Sequence, residues 1–276
     1  MDIQRIAAFS DGDSGGNPAG VVIADTLPDV PKMQAIAADV GFSETAFAAA
    51  DGDGYRVRYF APESEVPFCG HATIALGAAL AMRDGDAVFN LTLNDARITV
   101  EGKRDGDVMS AALQSPPTRS EALADDDIKT ALDLFGYSKG DLNASIPPAL
   151  MHGGADHWVF ALNSREALSR LQYDFDVGRD LMVGKNIVTI MFAFAESEQR
   201  FHTRNPFASG GVYEDSATGA ATAAFAGYLR DIGWPHGGVI DIVQGEDMRM
   251  RSLLRAEISD EPGASIRVSG TARVME

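Results

Sequence analysis

The chain predicts an α+β fold of two pseudo-symmetric lobes, each a curved, mostly antiparallel sheet around one central helix. Three observations carry this. Two small-residue stretches, from Phe68-Cys69-Gly70-His71-Ala72-Thr73 to about Met82 and from Glu214-Asp215-Ser216-Ala217-Thr218-Gly219 to about Leu229, look like copies of one idea. Each sets polar residues and a glycine before an Ala-rich run, the pattern of a helix N-terminus. Short strand signals flank both stretches, and the order strands, helix, strands occurs once per half, as an ancient duplication would leave it.

Along the first half, Gln4–Ser10, Ala19–Ala24, Thr45–Ala50 and Tyr55–Phe60 read as strands between Gly/Asp turns. Residues 31–39 read as a helix, with Pro31 in its first turn and Gly41 just past its end. After the first Ala-rich helix, Ala87–Leu93, Ala96–Glu101 and Val108–Leu113 alternate with Asn-Asp and Arg-Asp-Gly turns, as antiparallel strands do. Ser115-Pro116-Pro117 marks the boundary between an N-terminal lobe, 1–115, and a C-terminal lobe, 116–276, with the last strand able to return to the first lobe. The second half opens with a helix near Glu121–Leu134. Strands follow near Trp158–Leu162, Ile187–Phe194 and Phe201–Arg204, then the second Ala-rich helix, then Val239–Gln244, Leu254–Ser259 and Ser265–Val274.

Composition narrows the function. With 276 residues and 45% hydrophobic content the chain can bury a substantial core. No apolar run reaches bilayer length, and Met1-Asp2-Ile3-Gln4-Arg5 is unlike a secretory start, so a cytoplasmic protein without membrane partners is expected. A single cysteine allows neither an intrachain disulfide nor a multi-Cys metal site. The net charge of −17 argues against nucleic acid and anionic lipid as partners. An anionic substrate then relies on local dipoles, which screening over about 8 Å permits.

Two helix N-termini, each offering backbone N–H groups and a partial positive charge, suggest a cleft that grips a carboxylate from both sides. Glu44, in Gly41-Phe42-Ser43-Glu44-Thr45-Ala46-Phe47, is a carboxylate at an apolar strand start. It reads either as an exposed or capping acid, or as a half-buried general base with a raised pKa. His71 at a helix start is a cap, a surface residue or a proton carrier kept neutral by the dipole. Cys69 is an inert buried thiol or a helix-end thiolate. Asp215 and Ser216 read first as N-caps. His152, His157, His202 and His236 show no metal-ligand spacing, and no metal is expected. Gly12-Asp13-Ser14-Gly15-Gly16 matches the nucleophile segment of trypsin-like proteases, but no histidine precedes Ser14 and the stretch reads as a turn between strands.

Five segments in register resemble the phenazine-biosynthesis PhzF-like family of the diaminopimelate-epimerase superfamily. They are Phe9 with Gly16-Asn17-Pro18-Ala19-Gly20-Val21-Val22, the Phe42 to Phe47 segment, Tyr55 to Pro62, Glu65 to Thr73, and Gly211 to Gly219 with Gln244-Gly245. The resemblance implies barrel-like lobes with the active site in the cleft between them, a homodimer, and cofactor-independent isomerisation of a small carboxylate-bearing substrate. By position it implies Glu44 as catalytic acid and base, with His71 and Asp215 relaying protons or holding substrate. Gly70, Cys69, Ser216, Thr218, Gly219 and Ala220 would then line the substrate. The family pattern has proline at 216 and serine at 220, where this chain has Ser216 and Ala220; the missing hydroxyl implies a different substrate. In the superfamily's two-thiol epimerases, cysteines occupy the positions of Cys69 and Ser216. That leaves an epimerase, racemase or dehydratase using Cys69 with Ser216 as the alternative, and a catalytically silent small-molecule binder as a third reading.

Overall fold

In a computed structural model that describes residues 2–275, seventeen strands and six α-helices follow in the order β1 (Gln4–Ala8), β2 (Asn17–Ala24), α1 (Val30–Val40), β3 (Thr45–Asp51), β4 (Gly54–Phe60), β5 (Glu65–Val66), α2 (Gly70–Asp84), β6 (Ala87–Thr92), β7 (Arg97–Asp105) and β8 (Val108–Pro117). The second half continues with β9 (Arg119–Ala122), α3 (Asp125–Phe135), β10 (Ala149–His152), β11 (Asp156–Leu162), α4 (Arg165–Ser169), α5 (Phe175–Gly184), β12 (Thr189–Ala195), β13 (Arg200–Phe207), β14 (Val212–Asp215), α6 (Gly219–Asp231), β15 (Val239–Gln244), β16 (Ser252–Glu257) and β17 (Ser265–Val274). The chain forms two compact units, Met1–Gln114 with Ser269–Glu276, and Ser115–Val268. No helix among the described residues is long and apolar enough to cross a membrane.

In the first unit the strands close into an eight-stranded barrel, β1–β2–β3–β4–β6–β7–β8–β17 and back to β1. Most pairings are antiparallel, but β2–β3 and β4–β6 are parallel, because a helix crosses between each pair. Helix α2 fills the barrel: every residue from Gly70 to Ala81 is buried. A helix apolar on all sides is one enclosed on all sides, and its run of alanines and glycines keeps it thin enough to be wrapped. The tightest approach is at Gly102 of β7, where a Cβ would collide with the Gly77 carbonyl oxygen, while a Cβ on Gly77 would lie 2.5 Å from Val100 Cγ2. Side chains at either site would force the barrel wall outward, a cost of about 1–3 kcal/mol. Helix α1 packs outside, with Asp29 capping Lys32 N–H at 3.0 Å and Met33 and Ala37 set against Val22, Phe47 and Phe60.

The second unit repeats the scheme of pairings. β10–β11 is antiparallel like β1–β2, β11–β12 parallel like β2–β3, β12–β13 antiparallel like β3–β4, and β13–β15 parallel around α6 as β4–β6 is around α2. Short β14 and short β5 sit at equivalent places, each just before its central helix. Helix α6 is buried at almost every position from Gly219 to Leu229. A separate aromatic cluster, with Phe135, Trp158, Phe160 and Phe192 among its members, lies under α3, α4 and α5.

The expected helix near Glu121–Leu134 begins at Asp125. Glu121 instead pairs with Leu150 in the β9–β10 ladder, and Asp125, Asp126 and Asp127 supply the negative charge that favours a helix start. The short helices α4 and α5 were not anticipated from the sequence, and neither were β5, β9, β10 and β14. Of the Asp11 to Gly20 stretch, residues 11–16 form the turn between β1 and β2, closed by an Asp11–Ser14 bridge, and Asn17 to Gly20 already belong to β2.

One buried ion pair ties down the second unit. The Arg204 guanidinium donates to Glu214 Oε1 at 3.0 Å and Oε2 at 2.5 Å, and its remaining N–H groups reach the carbonyls of Ser169 and Leu171 at 3.0 and 3.2 Å. Removing one partner of such a pair strands the other charge. Glu214→Ala is therefore expected to lower unfolding free energy by about 3–5 kcal/mol, measured by urea denaturation, whereas Glu198→Ala on an exposed turn should change it by less than about 0.5 kcal/mol.

Candidate active site

Each unit presents a polar group at the N-terminus of its central helix. In the first unit, β3 begins directly after Glu44, whose carbonyl accepts from Gly20 N–H of β2 at 3.2 Å and so ties the residue to the sheet. Cys69 is the N-cap of α2 in an extended conformation, and its thiol makes no capping bond. The thiol lies 3.3 Å from His71 Nδ1, on the first turn of the helix. The other ring nitrogen, Nε2, lies 3.4 Å from Glu44 Oε2 and 3.4 Å from Ser43 Oγ. Glu44, Cys69 and His71 are 8%, 8% and 5% exposed, so the three sit together almost out of water. The sequence reading of Glu44 as an exposed or capping acid does not hold.

This setting decides the acidity of Glu44. Burial pushes its carboxyl above the usual 4.5, because the charged form loses solvation; hydrogen bonds from Ser43 and Cys69 offset part of that rise. The 3.4 Å approach of His71 Nε2 to Oε2 is ion-pair distance without hydrogen-bond geometry, and Oε2 has no hydrogen-bond partner within the protein. The helix start adds backbone N–H groups. The first intrahelical bond runs from Thr73 N–H to the Cys69 carbonyl at 3.0 Å, so the N–H groups of Gly70, His71 and Ala72 precede it and carry the positive end of the helix dipole.

A hydroxyl chain holds that turn. Tyr59 and Thr73 hydroxyls meet at 2.7 Å, and Thr73 Oγ1 donates to the Cys69 carbonyl at 2.7 Å. Tyr59 is fully buried, and burial raises its pKa far above the ordinary phenol value. Tyr59, Thr73 and Ser43 all stand in the segments that prompted the family resemblance, yet nothing local in the sequence marks them as supports for Cys69 and His71.

In the second unit Asp215 ends β14 and Ser216 follows it; both are buried. Neither caps α6, as the sequence reading had it: the N-cap is Thr218. Asp215 instead accepts a hydrogen bond from Thr218 Oγ1 at 2.6 Å. Gln244 of β15 locks the turn from the far side. Its amide donates to the Asp215 carbonyl at 2.8 Å and to Thr218 Oγ1 at 3.0 Å, and accepts from Thr218 N–H at 3.1 Å. Gly245 makes this possible, since its φ of 75° and its closeness to the Ser216 carbonyl oxygen leave no room for a side chain. The first bond of α6 runs from Thr222 N–H to the Thr218 carbonyl at 2.9 Å, leaving the N–H groups of Gly219 and Ala220 ahead of it. Fully buried Asn205, the strand partner of Asp215, was not singled out by the sequence, and Gln244 entered only through the resemblance, with no role assigned to it.

The structure thus gathers Glu44, Cys69, Gly70 and His71 in one unit, and Asp215, Ser216, Thr218, Gly219 and Ala220 in the other. The remaining histidines serve local structure. His157 is pushed down to about 3 by burial and shares a 2.8 Å hydrogen bond with Thr189, and His236 Nδ1 accepts from Gly238 N–H at 2.9 Å. His152 pairs with Asp156 at 2.6 Å, and His202 lies between Glu246 and Glu196 at 2.7 and 3.0 Å. Metal-ligand spacing is absent from the sequence, but folding brings one ligand atom each of Glu44, Cys69 and His71 within 4.8 Å of one another.

Each of the two units offers polar residues at the start of a buried central helix. The sequence profile described as phenazine biosynthesis-like protein matches residues 6–276, and the chain belongs to that family. A trans-2,3-dihydro-3-hydroxyanthranilate isomerase from Pseudomonas aeruginosa is 31% identical over 273 residues, spanning 96% of this chain and 94% of that protein. Among solved structures, a PhzF-family phenazine biosynthesis protein of Bacillus anthracis superposes with a TM-score of 0.87 at 21% identity, covering 100% of this chain and 98% of that one. A probable proline racemase from Agrobacterium radiobacter K84 shares the fold with a TM-score of 0.66 at 12% identity, over 99% and 90% of the two chains.

A carboxyl with a raised folded-state pKa holds its proton more tightly folded than unfolded. It favours the fold below the ordinary value of 4.5, and that contribution is lost as pH rises through the folded-state value. Glu44→Gln, which keeps the shape and removes the charge, should therefore gain thermal stability relative to wild type as pH rises from 4 to 8, as read by melting temperatures of the two proteins in parallel. A constant difference across that range would contradict the burial argument.

Proposed function

We propose that this protein is a cofactor-independent isomerase that moves a proton on a small carboxylate-bearing substrate, with Glu44 as its acid and base. The observation that carries the reading is the buried Glu44 carboxyl, its pKa raised by desolvation, 3.4 Å from His71 at the start of α2. Family membership and the named activity of the Pseudomonas aeruginosa relative support the reaction class. A carboxylate with a raised pKa is a stronger base than a solvated one, and once protonated it is an acid still able to give the proton back. In the proposed reaction Glu44 removes a proton from carbon and returns it at another carbon, so that the double bonds shift with no net change in atoms or electrons. The helix-start N–H groups near Gly70 receive negative charge as it develops.

His71, between the Glu44 oxygen and the Cys69 sulfur, is placed to relay the proton or to hold the substrate in its protonated form. For Asp215 the proposal is a substrate-holding or second proton-transfer role, supported by its fixed position beneath Thr218 and Gln244 and by the family resemblance. Thr218, Gly219 and Ala220 are proposed to line the substrate. Ala220 puts a methyl where the family pattern has a hydroxyl, which favours a substrate different from that of the phenazine enzyme.

The Cys69–His71 contact of 3.3 Å favours one second reading, in which the thiol acts as the base of an epimerase with Ser216 as relay. Proton NMR in deuterium oxide separates the two on a panel of cyclic and amino-acid-like carboxylates. Under the Glu44 reading, wild type exchanges a carbon-bound proton, Glu44→Gln slows this by about 10²–10⁴-fold, and Cys69→Ala stays within about tenfold of wild type. The reverse pattern assigns the chemistry to Cys69. Binding of a panel member with no exchange in wild type would make the protein a binder.

A further inference from the structure

We infer that Glu44, Cys69 and His71 form a three-ligand site for a divalent cation of zinc type, and that such a cation switches the isomerase site off. The donor set is the first argument. One thiolate, one imidazole and one carboxylate are the ligands zinc takes, and three protein ligands with a fourth position open is the arrangement of an accessible rather than a sealed zinc site. All three side chains come from different steps of the fold: Glu44 from the entry to β3, Cys69 from the N-cap of α2 and His71 from its first turn. Their ligand atoms nevertheless lie within 4.8 Å of one another.

One edge of the donor triangle already has the dimensions of a tetrahedral centre. Zinc bonds of ~2.3 Å to sulfur and ~2.0 Å to nitrogen or oxygen place tetrahedral S and N donors about 3.5 Å apart, and N and O donors about 3.3 Å apart. With His71 Nε2 as the ligand nitrogen, Glu44 Oε2 is 3.4 Å away and Cys69 Sγ 4.0 Å. The sulfur lies nearer the opposite ring nitrogen, 3.3 Å from Nδ1, so it must swing across toward Nε2 by rotation about its Cα–Cβ bond before all three ligands meet one cation.

Charge is the second argument. A thiolate and a carboxylate carry two negative charges, so with a neutral imidazole they cancel those of a divalent cation. A charge-neutral centre is the one a nearly dry site accommodates at least cost. On binding, the Cys69 S–H bond is exchanged for a metal–sulfur bond, and the Glu44 O–H, where protonated, for a metal–oxygen bond. Both protons pass to solvent, and no oxidation state changes.

Inhibition rests on the reading of Glu44 as acid and base: an oxygen whose lone pair is given to a metal cannot take a proton from carbon. Cation binding itself does not depend on that reading, so the two are tested apart. Cobalt(II), the spectroscopic substitute for zinc, is titrated into chelator-treated protein. The expected result is one equivalent bound with a sulfur-to-cobalt charge-transfer absorption. It is absent from Cys69→Ser, weakened at least about tenfold in affinity in Glu44→Gln, and displaced by zinc. Because Cys69 is the single cysteine of the chain, zinc should also protect wild type from alkylation by iodoacetamide, a reading that needs no variant to fold. Absence of a sulfur band and of protection overturns the site. Cobalt absorption without the sulfur band and unchanged in Cys69→Ser also overturns it, by placing the cation elsewhere, as at His202 between Glu196 and Glu246. Where the sulfur band is present, saturating zinc should slow proton exchange by at least about 100-fold. Band and protection with undiminished exchange would keep the cation site, refute the inhibition, and take Glu44 out of the catalytic role.

Discussion

A helix enclosed on all sides sets the terms for everything else in the first unit. Helix α2 is buried because its side chains are small and apolar around its whole girth, and the barrel can close on it because glycine faces glycine at Gly77 and Gly102. Enclosing the helix also buries its N-terminus. The polar residues there cannot reach bulk water, so they are satisfied by one another: Cys69 by His71, the Cys69 carbonyl by Thr73, and the Thr73 hydroxyl by Tyr59. Glu44 enters this company as a carboxyl without solvent, and its raised pKa follows from the same closure that stabilises the fold. Chemistry and packing are here two results of one geometric requirement.

The second unit solves the same problem with different residues. Its central helix is also buried, yet the N-terminal turn carries Thr218 as cap, with Asp215 accepting from Thr218 and Gln244 bridging both. Every hydrogen bond in this turn fixes a side chain that would otherwise rotate. The first unit's turn, by contrast, keeps a thiol, an imidazole and a carboxyl in mutual contact, three groups that each gain or lose a proton. The repeated pattern of strand pairing carries two unlike chemical ends.

Much of this was legible in the sequence where the signal is local. The two central helices announce themselves because burial on every face demands small apolar residues throughout, and α1 because Pro31 and Gly41 bracket it. Glu44, His71 and Asp215 emerged from a resemblance, and the residues themselves left both bland and catalytic readings open. What stayed hidden depends on long-range partners. Glu121 reads as helix until β10 offers it a ladder, and α5 is masked by Gly178 and by the exposed Val177 and Val183. The contact of Glu44 with His71 spans a strand pair and a turn, and no periodicity encodes it. Gln244 reaches Thr218 and Asp215 from 26 and 29 residues away, for the same reason.

The repetition of pairings has a cost during folding. β2 joins β3 in parallel through α1, and β11 joins β12 in parallel through α4 and α5, so the nascent chain holds two sets of strands built to the same connection rule. Swapped partners would satisfy many of the same backbone hydrogen bonds, the hazard of repeated architectures. The halves differ in what is not repeated: a single outer helix of eleven residues in one, against the three helices α3, α4 and α5, a strand-pairing β9 and a separate aromatic cluster in the other. Those unmatched pieces pack on the strands of their own half alone, so a swapped strand would lose that packing even where its backbone hydrogen bonds were met.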